Sequence, residues 1–295
     1  MQVTNNLHLP QSIVRAVTND PYSYGDADIS VTGMIGPARK RRLELTHRDE
    51  MTVDAADRLW SLYGQIVHGI LERADLGDDQ IITERRLFIE RHGWRISGQF
   101  DRLVLKEKTV LQDYKFTSQW TVGGGVKPEH EAQANIYRLM LREHGYTIDA
   151  MEIVAVLRDW SKTRAANDSG YPQKPVAILD IPIWDQDKTE DYITARLLAH
   201  GQAQTTLPDC TPEERWERDS VWKVKKDGNK TAVRGHAHHG NEADAQAVAA
   251  DLTEKTGHKH VIEFHPGDST RCAFYCEAAP FCAQWKKINP NKLGL

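Results

Sequence analysis

The period of the hydrophobic positions changes several times along the chain, and each change marks an element. Residues 1 to about 50 are punctuated by Pro and Gly and predict only short helices, one over residues 11–17 and one after Thr32. From Asp54 the pattern turns helical. Asp54 and Asp57 complement a helix start, and Leu59, Trp60, Tyr63, Val67, Ile70 and Leu71 recur on one face until Leu76-Gly77. Residues 81–90 then read as a strand, residues 96–105 as a second with imperfect alternation, and residues 110–115 as a third, a meander joined by polar turns. The Gly-rich break before Pro128 opens an amphipathic helix over residues 129–144, closed by Gly145. The apolar run over residues 151–158 predicts a strand internal to the sheet.

Beyond Trp160 the pattern predicts a strand over residues 176–184, a helix over 188–204, a hairpin turning at Asp227-Gly228, a helix over 241–256 and a short strand over 260–264. Three segments follow: a lead-in over residues 1–50, a core over 51–205, and an extension over 206–295 carrying the hairpin and the cysteine-rich tail. Helix, three strands, helix and strand in that order predict an α/β core, and the extension reads as α+β.

Composition narrows the classes. With 295 residues and 40% hydrophobic content the chain buries a real core. No apolar run approaches the roughly 20 residues needed to cross a bilayer, and the polar start is not a signal peptide, so a soluble cytoplasmic protein without a membrane partner is predicted. A formal charge of -4 gives no support for nucleic-acid binding by bulk charge; a local basic surface such as residues 39–42, or bound cations, would have to supply it.

The chemistry concentrates on the meander. Asp113 and Lys115 are two apart and leave one face of a strand, and a hairpin neighbour brings Asp101 beside them. Two close acids repel unless a divalent cation such as Mg²⁺ or Mn²⁺ joins them, with the Tyr114 carbonyl as a further oxygen ligand. Such an ion both neutralises a phosphate and activates water, and Lys115 would stabilise the growing charge. Read alone, Asp-x-Lys is as often a structural ion pair. His68, with Gly64 one turn before it to allow a close helix approach, is either a metal ligand or a hydrogen-bonded core residue. Glu84 is a surface acid unless the meander carries it toward Asp101. Gln133 and Tyr137 share a helix face and can contact phosphate or water, or form a polar pair.

The ordered set GQIVHGIL, TERRLFIE, SGQFDRL, QDYK and QANIY resembles the PD-(D/E)XK nuclease superfamily, in particular its RecB-like and Cas4-like branch and the nuclease-domain proteins of bacteriophages. The resemblance covers residues 54–160. It implies a restriction-endonuclease-like mixed central sheet flanked by helices. It also implies that His68, Asp101, Asp113 and Lys115 form the catalytic set, with Gln133 and Tyr137 as its accessory helix motif and Glu84 as a less constant acid. The implied activity is Mg²⁺-dependent hydrolysis of DNA, as an exonuclease processing ends in phage recombination or replication inside the bacterial host. The implied partners are DNA with free ends or single-stranded regions, and phage recombination or replication proteins. A structure-specific endonuclease and a catalytically weak DNA-binding recombination partner are the alternatives.

Cys272, Cys276 and Cys282 crowd the C-terminus, and Cys210 can return as a fourth soft ligand. The resemblance points to a [4Fe-4S] cluster, although the isolated cysteine follows the core and the first C-terminal gap is three residues. Structural Zn²⁺ is the alternative, kept open by His236, His238 and His239, and ordinary reduced thiols are the third. Trp216 and Trp222, placed on the hairpin, are either base-stacking or packing residues.

Overall fold

The computed structural model describes residues 1–19 and 23–290; residues 20–22 and 291–295, inside the expected lead-in and extension, lie outside it. The chain divides into two compact units, Met1–Pro208 and Asp209–Leu295. In chain order the first contains β1 (Gln2–Thr4), α1 (Gln11–Thr18), β2 (Ile29–Ser30), α2 (Val31–Ile35), α3 (Ala38–Thr46), β3 (Thr52–Asp54) and α4 (Leu59–Ala74). There follow β4 (Ile81–Thr83), β5 (Arg86–Arg91), β6 (Trp94–Gln99), β7 (Arg102–Leu105) and β8 (Thr109–Thr117). The unit closes with α5 (Gln119–Val122), α6 (Pro128–Glu143), β9 (Ala150–Leu157), α7 (Lys162–Asn167), β10 (Val176–Asp180) and α8 (Gln186–Gln202).

The mixed, helix-flanked sheet expected from the sequence is present. Five strands run in the order β10-β9-β8-β7-β4. β8 and β9 are parallel, which requires the crossover through α6, and the other pairs are antiparallel. A second sheet, β2-β6-β5, continues the meander. Ile96, Phe100, Leu103, Leu111, Ile136, Met140 and Met151 fill the core between these sheets and α6. Residues 29–34 belong to it as well, through Ile29, Val31 and Met34.

Two of the expected strands are each broken in two. The segment 81–90 is interrupted at Glu84, whose φ of 48° is left-handed and cannot continue an extended run. The segment 96–105 is interrupted opposite it, at Phe100-Asp101, so Asp101 lies at a strand break and not mid-strand. Glu84 N–H still donates to the Asp101 carbonyl at 3.0 Å. The crease lets one hairpin serve two sheets. Arg86 pairs with Gln99 on one side of it and Thr83 with Arg102 on the other.

The helix 59–74 departs from expectation in a different way. Its apolar face is not buried: none of its residues is, and Trp60, Tyr63, Ile66 and Ile70 are exposed.

The second unit holds β11 (Glu217–Arg218), β12 (Val221–Lys226), α9 (Glu242–Thr256), β13 (His260–His265), β14 (Asp268–Ser269), α10 (Thr270–Phe274) and α11 (Ala283–Ile288). The turn at Asp227-Gly228 forms, with Gly228 at φ 81°. Its return segment touches β12 at isolated points, Val233 N–H to the Val224 carbonyl, Val224 N–H to the His236 carbonyl and a bridge between Trp222 and His239, while β12's full ladder runs antiparallel to β13. Trp222 packs on Phe264 with ring centroids 5.0 Å apart, a packing role, and Trp216 precedes β11 and stands outside the hairpin.

Candidate active site

The crease gathers three ligand-bearing side chains. Atoms of His68, from α4, and of Glu84 and Asp101, from the two strand breaks, lie within 4.8 Å of one another, and this is the one group of three or more potential metal ligands among the described residues. His68 Nδ1 is 3.2 Å from Glu84 Oε1 and 3.7 Å from Asp101 Oδ1. On the strand next to Asp101, Asp113 is buried and its Oδ2 lies 2.5 Å from Lys115 Nζ.

The electrostatics follow from burial and crowding. Burial, reinforced by the Asp113 charge, pushes the Asp101 carboxyl up to about 7 despite Lys115, His68 and the Tyr114 N–H. The hydrogen bond to Glu84 raises His68 above the ordinary imidazole value, against burial and with help from Asp101. Burial alone would raise Glu84, but hydrogen bonds from His68 and Gln99 hold it below the usual carboxylate range. Burial likewise opposes the Lys115 charge, and Asp113 and Asp101 outweigh it and hold the ammonium above its ordinary value. The mutual repulsion of the Asp101 and Asp113 carboxylates is what a divalent cation relieves. The oxygen-rich donor set with one imidazole fits such an ion.

Tyr114 meets the acids through its amide, which donates to Asp101 Oδ2 at 2.7 Å. Gln133 Nε2 donates to the Tyr137 hydroxyl at 3.0 Å, and both residues line the same cleft as the acids and Lys115. Their helix is seated by Gly98: a Cβ there would come within 2.8 Å of the Tyr137 ring and 2.7 Å of Met140 Sδ.

Gly64 does the opposite of what the sequence suggested. A Cβ at 64 or 69 would meet nothing within 4 Å, because both glycines face the open cleft. This cleft has a volume of about 1180 Å³, and α2 and α3 form its far wall, with Lys40 and Arg41 on it. Of the basic run 39–42, Arg39 is buried and donates to the Leu207 and Pro208 carbonyls. Sequence reasoning missed Gln99, whose Nε2 donates to Glu84 Oε2 at 2.8 Å while its Oε1 accepts from Arg86 at 2.5 Å. The available signal was a polar residue two before Asp101 in a strand.

In the second unit Cys282 is buried, Cys210, Cys272 and Cys276 are half-buried, and none of the four is in a disulfide. Burial first, then Glu214 and the other three cysteines, pushes the Cys210 thiol up to about 12. Gln284 ties Cys210 to the C-terminal segment by accepting from its N–H and donating to its carbonyl, each at 2.9 Å. No three of the thiols come within ligand distance of one another among the described residues. His236 and His239 stack with ring centroids 5.5 Å apart and form no ligand group with His238 or the cysteines there.

The family model described as the PD-(D/E)XK nuclease superfamily matches residues 38–283. No curated protein matches the chain. Among solved structures, one described as "Crystal structure of SSO0001" aligns over 64% of this chain and 82% of its own, with 16% identity and a TM-score of 0.43.

Proposed function

Because the chain belongs to the PD-(D/E)XK nuclease superfamily, we propose that it hydrolyses phosphodiester bonds of DNA at the crease, acting on ends as an Mg²⁺-dependent exonuclease of the RecB-like and Cas4-like kind in phage recombination or replication. The observation that carries this reading is the convergence of His68, Glu84 and Asp101 beside buried Asp113 and Lys115. His68, Glu84, Asp101 and Asp113, with the Tyr114 carbonyl, would hold a divalent ion. When bound, that ion supplies charge neutralisation at the phosphate and lowers the pKa of a water.

The chain's own groups do the rest. Lys115, kept protonated by two carboxylates, stands ready to donate to a phosphate oxygen or orient the attacking water. Glu84 holds His68 through Oε1 and receives Gln99 through Oε2, which fixes the orientation of both. Gln133 and Tyr137 offer an amide and a hydroxyl to the scissile strand. Asp113→Ala is expected to lower Mg²⁺-dependent cleavage of linear duplex by at least about 10³-fold. Unchanged cleavage would remove this site from the chemistry. Comparing linear, nicked, circular and single-stranded DNA separates end processing from structure-specific endonuclease action and from binding without cleavage.

For the second unit we propose a structural metal on Cys210, Cys272, Cys276 and Cys282, an iron–sulfur cluster before zinc. Its support is the soft-donor chemistry of four cysteines in one unit, with the other three acting electrostatically on Cys210. Iron with absorbance near about 400 nm in protein purified without air would identify the cluster. Stoichiometric zinc would replace it, and neither metal would leave four reduced thiols.

A further inference from the structure

On the reading of the first unit as a DNA nuclease, we propose that the exposed aromatic rings and arginines at the C-terminal ends of β8 and β9 form a stacking track for single-stranded DNA at the end of the strand that carries Asp113 and Lys115. The track begins one residue after Lys115. Phe116 meets Tyr63 edge to face with centroids 6.3 Å apart, and Tyr63 meets Trp60 in the same manner at 5.6 Å. Trp60 is 58% exposed, and Arg158, the first residue after β9, lies over its ring at 4.1 Å from the centroid. Trp120, four residues beyond Phe116, is 74% exposed and faces Arg164 at 5.8 Å.

Two exposed indoles around the end of the strand that carries Asp113 and Lys115 offer apolar surface for a partner to cover. The chemistry around them selects it. Trp60 and Trp120 each carry a guanidinium and keep more than half of their surface exposed, so a flat, anionic, unpaired polymer is matched in both its bases and its phosphates. Stacked bases of a closed duplex present no free face to such rings.

The track is also held in shape. Asp159 accepts from the Ser118 hydroxyl at 2.5 Å and the Gln119 N–H at 2.7 Å, which fastens the start of α5, and with it Trp120, to the segment bearing Arg158. The Trp160 indole N–H donates to the Pro172 carbonyl at 2.7 Å, and the Tyr171 hydroxyl accepts from Ser161 N–H at 2.9 Å while its ring lies under Arg164. An ordered platform costs less entropy when a strand docks on it.

Anisotropy of a labelled oligothymidylate of about 16 nucleotides, with Ca²⁺ in place of Mg²⁺, tests the track against a blunt duplex. Trp60→Ala and Trp120→Ala are each expected to weaken single-strand binding about tenfold, with Trp60→Phe recovering most of the loss. Duplex binding should change by less than about twofold, and hydrolysis of bis(p-nitrophenyl) phosphate should be unaffected. Unchanged single-strand affinity in both folded Ala variants overturns the proposal. So does an equal loss on both DNAs, or a drop in oligomeric mass without any change in DNA affinity, which would make the rings a self-association surface. If the native protein hydrolyses neither DNA nor the diester while single-strand binding still depends on the rings, the nuclease reading fails and the track stands.

Discussion

α4 and α6 are both sixteen residues long and both line the cleft, α4 with His68 and α6 with Gln133 and Tyr137. α4 is the richer in large apolar side chains, yet none of its residues is buried, whereas α6 buries eight. Helical periodicity is the same statement in both sequences; what differs is what lies opposite. α6 is the crossover of a parallel β8-β9 pair and is covered by β5, β6, α2 and α8, while α4 rests on β8 and keeps an open side. An apolar stripe therefore marks a face that wants covering, and only the topology decides whether the protein covers it.

The two helices should then fail in different ways. Met140→Ala in α6 removes a fully buried side chain beside Gly98 and is expected to cost about 3 kcal/mol in a denaturant titration. A loss under about 1 kcal/mol would mean that α6 is not the scaffold its burial implies. His68→Ala in α4 should lower Mg²⁺-dependent cleavage about a hundredfold, equivalent to about 2.7 kcal/mol of barrier, and leave the unfolding midpoint close to native. Matched losses of stability and activity in both variants would erase the distinction.

Much of this was legible beforehand, and the illegible part has physical causes. Asp113 and Lys115 share a strand face by period alone, and Gln133 and Tyr137 share a helix face, so local rules placed each pair. The crease was hidden because nothing in ITERRLFIE announces a left-handed residue: Glu84 takes a φ that Gly or Asn would have signalled. Gln99 escaped for a related reason, since its value lies in bridging Arg86 to Glu84 across two strands. The open face of α4 is a tertiary fact. So is the role of residues 29–34, where Pro and Gly punctuation suggested a loose lead-in and Ile29, Val31 and Met34 join the core.

The pairing of an acid-crowded crease with a well-packed scaffold also has a pH signature. Asp101 ionises near 3.8 in the unfolded chain and is pushed up to about 7 in the fold, so the native state binds the extra proton between those values. The Asp101 contribution to the stability of the metal-free protein should fall as pH rises from about 4 to about 7 and then level off, while the contribution of His68, also raised in the fold, is lost at higher pH. A divalent ion must displace that proton, so apparent Mg²⁺ affinity should drop about tenfold for each pH unit below about 7, read as the metal-induced shift in unfolding midpoint. A metal-induced shift that is constant from pH 5 to 8 would place the ion away from Asp101.

The smallest effect discriminates most finely between the two helices. Ile66 and Ile70 are 48% and 52% exposed, so Ser at either position removes little packing. It exchanges wet hydrocarbon for a hydroxyl on a solvated face. Helix propensity changes little between Ile and Ser, and the area regained from water is small, so each variant should lie within about 0.5 kcal/mol of the native stability. Solubility at high concentration should improve, because the stripe that α4 exposes is shortened. A loss of about 2 kcal/mol from Ile70→Ser would show that the face is covered in solution, by a second copy of the chain if the midpoint also depends on protein concentration. α4 would then be half of an interface, and its contrast with α6 would come from the missing partner instead of from function.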